Sequence, residues 1–231
     1  MSLFPLLPEA NSAVLVLDQT RLPHSEAQLR LATLEEVAVA IETMQIRGAP
    51  LIGATAAFGL ALAMNSDASD TGLAHAYARL ARTRPTAVNL HWALDKMRNA
   101  LQSLAPSARK NAAWQEACAI RETDIAANHA IGRYGAALIE AIAARRPGPI
   151  QVMTHCNAGI LATCGWGTAL APVYVAHAAS LPVEVWVSET RPRNQGLLTA
   201  WELAHEGVPL RVLVDSAAAW LMQQRRVDLV I

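Results

Sequence analysis

Lysine is nearly missing from these 231 residues, standing only at positions 96 and 110. Both lie in or beside helix-like patterns, away from the loops that carry glycine and arginine, which argues against Schiff-base catalysis. An excess of charge is missing too: 19 Lys+Arg offset 19 Asp+Glu. Without a basic field to hold a phosphodiester backbone, no nucleic-acid partner is expected. The longest apolar run, residues 51–64, is broken by Gly53, Thr55 and Gly59. It falls short of the roughly 20 residues that cross a bilayer, so no membrane span is expected. The N-terminal stretch MSLFPLLPEANS lacks the positive flank and small-residue cleavage site of a secretory signal. Cysteine is scarce and odd in number, at Cys118, Cys156 and Cys164. That usage suits a reducing compartment, the cytoplasm, better than a disulfide frame. No CxxC pair or spaced His pair accompanies these cysteines, so no metal site is expected, and no GK[ST] phosphate loop occurs.

What is present is a folding sequence, 53% hydrophobic and 16% charged, with room for one large domain or two small ones. AVLVLD, residues 13–18, reads as a short strand followed by turn residues. Thr33, with Glu36 three residues on, forms a capping-box signature for a helix running through VAVAIETMQI. IRGAP interrupts it, and Pro50 suits the first turn of the next helix, where its missing N–H would have had no partner. Further Ala-rich helical patterns cover residues 71–83, 88–104 and 112–144. After RRPGP, residues 145–149, the rhythm changes. Apolar runs at 150–153, 183–187, 210–214 and 227–231 alternate with helical segments at 168–180, 197–206 and 216–225, the pattern of right-handed βαβ units on a parallel sheet. The expected fold is therefore α/β: a mainly helical N-terminal domain with a small β element over residues 1–147, then an incomplete Rossmann-like parallel domain over residues 148–231. VDLVI reads as a buried strand, and the chain stops where a functional loop is expected to start.

The loop after the first parallel strand, THCNAGILATCGWG, puts His155, Cys156 and Asn157 at the strand's carboxyl end. A thiol there can act as nucleophile or acid, or simply pack, since cysteine is among the most buried residue types. Cys118 and Cys164 read as structural. Gly165, Gly167 and the nearby Glu189 imitate two thirds of a dinucleotide fingerprint. Leu170 stands at the third glycine, however, and some dozen residues separate strand from helix where that motif needs a tight turn. Arg47-Gly48-Ala49-Pro50 is either an anion clamp at a helix N-terminus or a plain turn. Arg84 is a second guanidinium fork for phosphate or sugar oxygens, or a solvated loop residue. SETRPRNQG, after the second parallel strand, offers Gln195 for hydroxyls, while Glu189, Arg191 and Arg193 could form an ion-pair cluster.

Read together, LDQTRLP, MQIRGAPLIGATAAFGLALA, TRPTAVNLHWAL, DIAANHAIGRYGAALI, THCNAGILATCGWGTAL, ETRPRNQGLLTAWEL and VLVDSAAAWLM resemble the methylthioribose-1-phosphate isomerase family, in that family's order, from about Leu17 onward. The chain is more loosely similar to ribose-1,5-bisphosphate isomerases and to regulatory subunits of the eukaryotic initiation exchange factor. The resemblance implies isomerisation of 5-methylthioribose 1-phosphate to 5-methylthioribulose 1-phosphate in methionine salvage, without cofactor or metal, by a homodimer. Alternatives on the same fold are a 5-deoxyribose 1-phosphate or ribose 1,5-bisphosphate isomerase and a non-catalytic scaffold. An NAD-dependent oxidoreductase is the remaining alternative. The family's catalytic cysteine falls on Cys156, and its substrate contacts on Arg47, Gly48, Ala49, Arg84 and Gln195. Two departures stand out: Ser188 occupies a position usually Asp, and the GADR-type loop carrying the family's catalytic aspartate follows the point where this chain ends. The second implies a truncated polypeptide whose own activity is in doubt.

Overall fold

A computed structural model describes residues 3–231. These divide into two compact units, Phe4–Asp124 and Ile125–Ile231, the latter joined by Leu3. The division falls inside one long helix. The change of rhythm at residues 145–149 marks instead where helices give way to alternating strands and helices.

The helical unit opens with a small antiparallel sheet of β1 (Leu6–Glu9), β2 (Ala13–Leu17) and β3 (Gln28–Leu31), in that order. Only β2 is legible in the sequence as a strand. Helices α1 (Leu34–Glu42), α2 (Ala49–Ala63), α3 (Asp70–Ala81), α4 (Val88–Leu101) and α5 (Pro106–Ala143) follow. Thr33 and Glu36 form the expected reciprocal capping box on α1. α1 ends earlier than the expected pattern, because Met44 takes φ +64°, outside the helical region. α2 is apolar on all sides and buried from Leu51 to Leu62, the signature of a central helix. It packs against α4 through Gly53, where a Cβ would come within 2.7 Å of the Asn89 carbonyl oxygen. At the other end of α4, the buried Arg109 donates to the Leu101 and Leu104 carbonyls at 3.1 and 3.0 Å. The guanidinium thus takes up acceptors that the end of a helix leaves open.

In the second unit β4 (Ile150–Thr154), α6 (Ala171–Ala178), β5 (Val183–Ser188), α7 (Gly196–His205), β6 (Leu210–Leu213), α8 (Ala218–Gln223) and β7 (Leu229–Val230) alternate as expected. All four strands pair in parallel, in the order β6-β5-β4-β7. Met153, Trp186 and Leu213 cluster with Leu221 of α8 on one face of the sheet. The expectation that VDLVI is a buried strand is corrected: β7 is two residues long and Val230 is 57% exposed. It hydrogen-bonds to β4 alone at the sheet's edge, and an edge strand without a covering layer keeps its outer face open. Among the described residues no helix is long and apolar enough to cross a membrane.

Candidate active site

The strand order places the site. The chain steps from β4 outward to β5 and β6, then returns to the far side of β4 for β7. That reversal is a topological switch point, where the loops leaving neighbouring carboxyl ends diverge and open a crevice. The loop after β4, beginning at His155 and Cys156, leaves from that point.

Cys156 is half-buried and adopts φ +65°. Its N–H donates to Thr190 Oγ1 at 2.7 Å, and its carbonyl accepts from Thr199 Oγ1 at 2.8 Å. Next to it, the buried Asn157 donates from Nδ2 to the same Thr199 hydroxyl at 3.0 Å. Exposed His155 approaches Ser188 Oγ through Nδ1 at 3.2 Å. Ser188 in turn hydrogen-bonds Asp215, which follows β6. The Asp215 carboxylate also accepts the Thr190 N–H at 2.9 Å and the Arg191 N–H at 2.8 Å. The Ser188 hydroxyl first, then the amides of Arg191 and Thr190, hold its pKa down at about 2. Gln195 is half-buried immediately before α7. Gly196 after it must be glycine, since a Cβ there would lie 1.9 Å from the Ser188 carbonyl oxygen.

The rest of the loop is braced from within. Glu202 of α7 is 0% exposed and accepts from the Leu161 N–H at 2.9 Å and the Tyr174 hydroxyl at 3.1 Å. Burial, and then the Glu202 carboxylate, push the Tyr174 phenol well above its ordinary range, keeping it a proton donor. The fingerprint-like glycines are accounted for by packing. Thr163 Oγ1 accepts the N–H groups of Gly165 and Gly167 at 3.3 and 3.1 Å, and a Cβ on Gly167 would meet Gly159 backbone at 2.5 Å. Those amides are committed inside the loop rather than offered to a pyrophosphate, so the dinucleotide reading loses its physical basis. Cys164 is buried, as a structural cysteine would be, and Cys118 is half-buried with its thiol pKa raised by burial.

In the helical unit, Gly48 sits at φ +89° as the N-cap of α2, with no side-chain cap bond and Pro50 in the first turn. Ala49 is exposed. No side-chain cap takes up the first N–H groups of α2. Arg47, half-exposed, immediately precedes it. Arg84 lies in the segment just before α4, whose Asn89 meets Gly53 of α2. Arg84 Nη1 is buried with no hydrogen-bond partner. A buried unpaired donor costs about 1–3 kcal/mol, which a bound acceptor would recover.

Thus Arg47, Gly48, Ala49 and Arg84 all belong to the helical unit, and Cys156 and Gln195 lie in the loops after β4 and β5 in the other. Thr190, Thr199, Glu202 and Asp215 were not singled out from the sequence. The position of Thr190 and Asp215 just past strand ends was the available signal; Glu202 inside a helical pattern gave none. Among the described residues no three His, Cys, Asp or Glu side chains form a group able to hold a metal ion.

A four-stranded parallel sheet with a switch point at β4 and β7, preceded by a helical unit with a small antiparallel sheet, defines an α/β protein. A sequence model of the initiation factor 2 subunit family matches residues 45–231, and the chain belongs to that family. It is 60% identical over 219 residues to a methylthioribose-1-phosphate isomerase from Dechloromonas aromatica (strain RCB), an alignment covering 95% of this chain and 60% of the relative. Among solved structures it is similar to 5-methylthioribose 1-phosphate isomerase from Pyrococcus horikoshii OT3, with TM-score 0.88, 36% identity, and coverage of 100% of this chain and 65% of that one. It is likewise similar to translation initiation factor eIF-2B, subunit delta, from A. fulgidus, with TM-score 0.86, 37% identity and coverage of 99% and 67%. The chain spans about three fifths of the length of the curated relatives it matches.

Proposed function

We propose that this protein is an aldose–ketose isomerase converting 5-methylthioribose 1-phosphate to 5-methylthioribulose 1-phosphate, a step of methionine salvage in the cytoplasm. The observation that carries the reading is a half-buried thiol, Cys156, at the switch point of a parallel sheet. It is supported by relatives 52–60% identical that are named for this reaction. Phosphate on the anomeric oxygen prevents the sugar from opening to a free aldehyde. The ring oxygen must therefore gain a proton as its bond to C1 breaks, while hydrogen moves from C2 to C1 and the C2 hydroxyl proton departs. The product is a ketose with phosphate still on C1, and no electrons enter or leave, so the chemistry calls for positioned acid–base groups rather than a redox cofactor.

In this reading Cys156 is an acid–base group of the proton transfers. Arg47, with the Gly48 and Ala49 amides, binds phosphate; Arg84 and Gln195 bind phosphate or hydroxyl oxygens. The three free cysteines suit a cytoplasmic setting. A homodimer is part of the proposal on the strength of the family resemblance, and a hydrodynamic mass of one chain would remove it.

Conversion of the sugar phosphate, followed by NMR, tests the assignment. Removing an acid–base group typically costs about 10²–10⁴-fold, so in a polypeptide that also carries the aspartate loop the resemblance implies, Cys156→Ser is expected to lose conversion by that factor while Cys118→Ser keeps the parent rate. Parental conversion by Cys156→Ser would contradict the role.

A further inference from the structure

Cys156 carries a Cβ yet sits at φ +65°, a conformation that persists only where the surroundings impose it. Both of its backbone hydrogen-bonding groups are taken by threonine hydroxyls from elsewhere in the fold, Thr190 in the loop after β5 and Thr199 at the start of α7. The polarity of each bond is fixed, because a hydroxyl has a single proton. Thr190 Oγ1 donates to the Ser188 carbonyl at 3.1 Å, leaving its lone pairs for the Cys156 N–H. Thr199 Oγ1 accepts from Asn157 Nδ2, and its proton goes to the Cys156 carbonyl. Thr190 is itself held at φ +63°, a genuine outlier for a β-branched residue, with its N–H fixed by Asp215.

We propose that Thr190 and Thr199 are positioning residues that clamp the Cys156 backbone in its left-handed conformation, with Asp215 anchoring Thr190. The direction of the thiol at the carboxyl end of β4 is then set by the loops after β5 and β6 and by α7, not by its own segment. This inference rests on the reading of Cys156 as the reacting thiol.

The test is site-resolved alkylation of Cys156 by iodoacetamide on the full chain, native and urea-unfolded, with a thermal melt for every variant. Thr190→Val keeps the side chain's shape and removes the hydroxyl. It is expected to move the native alkylation rate toward that of the unfolded chain by about 5-fold or more, the change that a modest free-energy difference produces, while Thr190→Ser restores the parent rate. A residue that merely stabilised the fold would lower the melting temperature and leave the rate in the folded chain unchanged. Thr199→Val with Thr199→Ser repeats the test from the carbonyl side should Thr190→Val fail to fold. If both valine variants fold and alkylate at the parent rate, and that rate differs from the unfolded chain's, the clamp is wrong while Cys156 keeps its role. Equal rates in the native and unfolded parent would overturn the clamp and the reading of Cys156 together.

Discussion

Arg84 brings one guanidinium nitrogen into a buried position where nothing accepts from it. A donor in that condition weakens the unliganded protein and strengthens a complex that supplies an oxygen. Arg84→Met should therefore raise the melting temperature of the free protein, or leave it unchanged, while weakening sugar-phosphate binding by about 10-fold or more, as loss of a charge-assisted hydrogen bond implies; calorimetry of both properties checks it. Asp215 predicts a pH effect. Its pKa is about 2 in the folded chain against 3.8 ordinarily, so its contribution to stability is complete above 3.8 and is lost as pH falls toward 2. Asp215→Asn should flatten the acid limb of urea stability in that window; an unchanged limb would show that the carboxylate contributes nothing there. At this scale the sequence disclosed the residues with distinctive chemistry, such as Cys156, Gly48 and Arg84. It hid the hydroxyls of Thr190 and Thr199, because threonine is common and its importance lies in which backbone group it reaches.

Helices α2 and α4 approach closely where Gly53 meets Asn89. A methyl group at Gly53 would press on backbone, which cannot rotate aside, and overpacking of that kind costs about 1–3 kcal/mol. Gly53→Ala should lower the denaturation midpoint accordingly with an unchanged m-value; an unaltered midpoint would mean that the helices part without cost. Most elements were legible because their patterns are long: the capping box before α1, Pro50 opening α2, and the alternation of strands and helices after residue 149. β1 and β3 were not. Each spans four residues, with Pro8 inside the first, and both become strands through pairing with β2 rather than through local preference. The early end of α1 escaped as well, since apolar periodicity continues through Met44 and Ile46 while the backbone turns away.

On the scale of the whole molecule, a parallel sheet was foreseeable, but the order β6-β5-β4-β7 was not, since periodicity does not say on which side of β4 the chain returns. That order puts the reversal of direction beside β4, the place where open parallel sheets meet their ligands. The division inside α5 was equally invisible, as one uninterrupted helical pattern serves both compact units. The central claim is that the Cys156 thiol belongs to a sugar-phosphate site. Its most direct test is the rate of Cys156 alkylation with and without 5-methylthioribose 1-phosphate. Saturating sugar phosphate is expected to slow modification of Cys156 by about 10-fold or more, the factor that 1.4 kcal/mol of protection gives, with Cys118 unaffected. Modification of Cys156 at the same rate in the presence and absence of the sugar phosphate would contradict it.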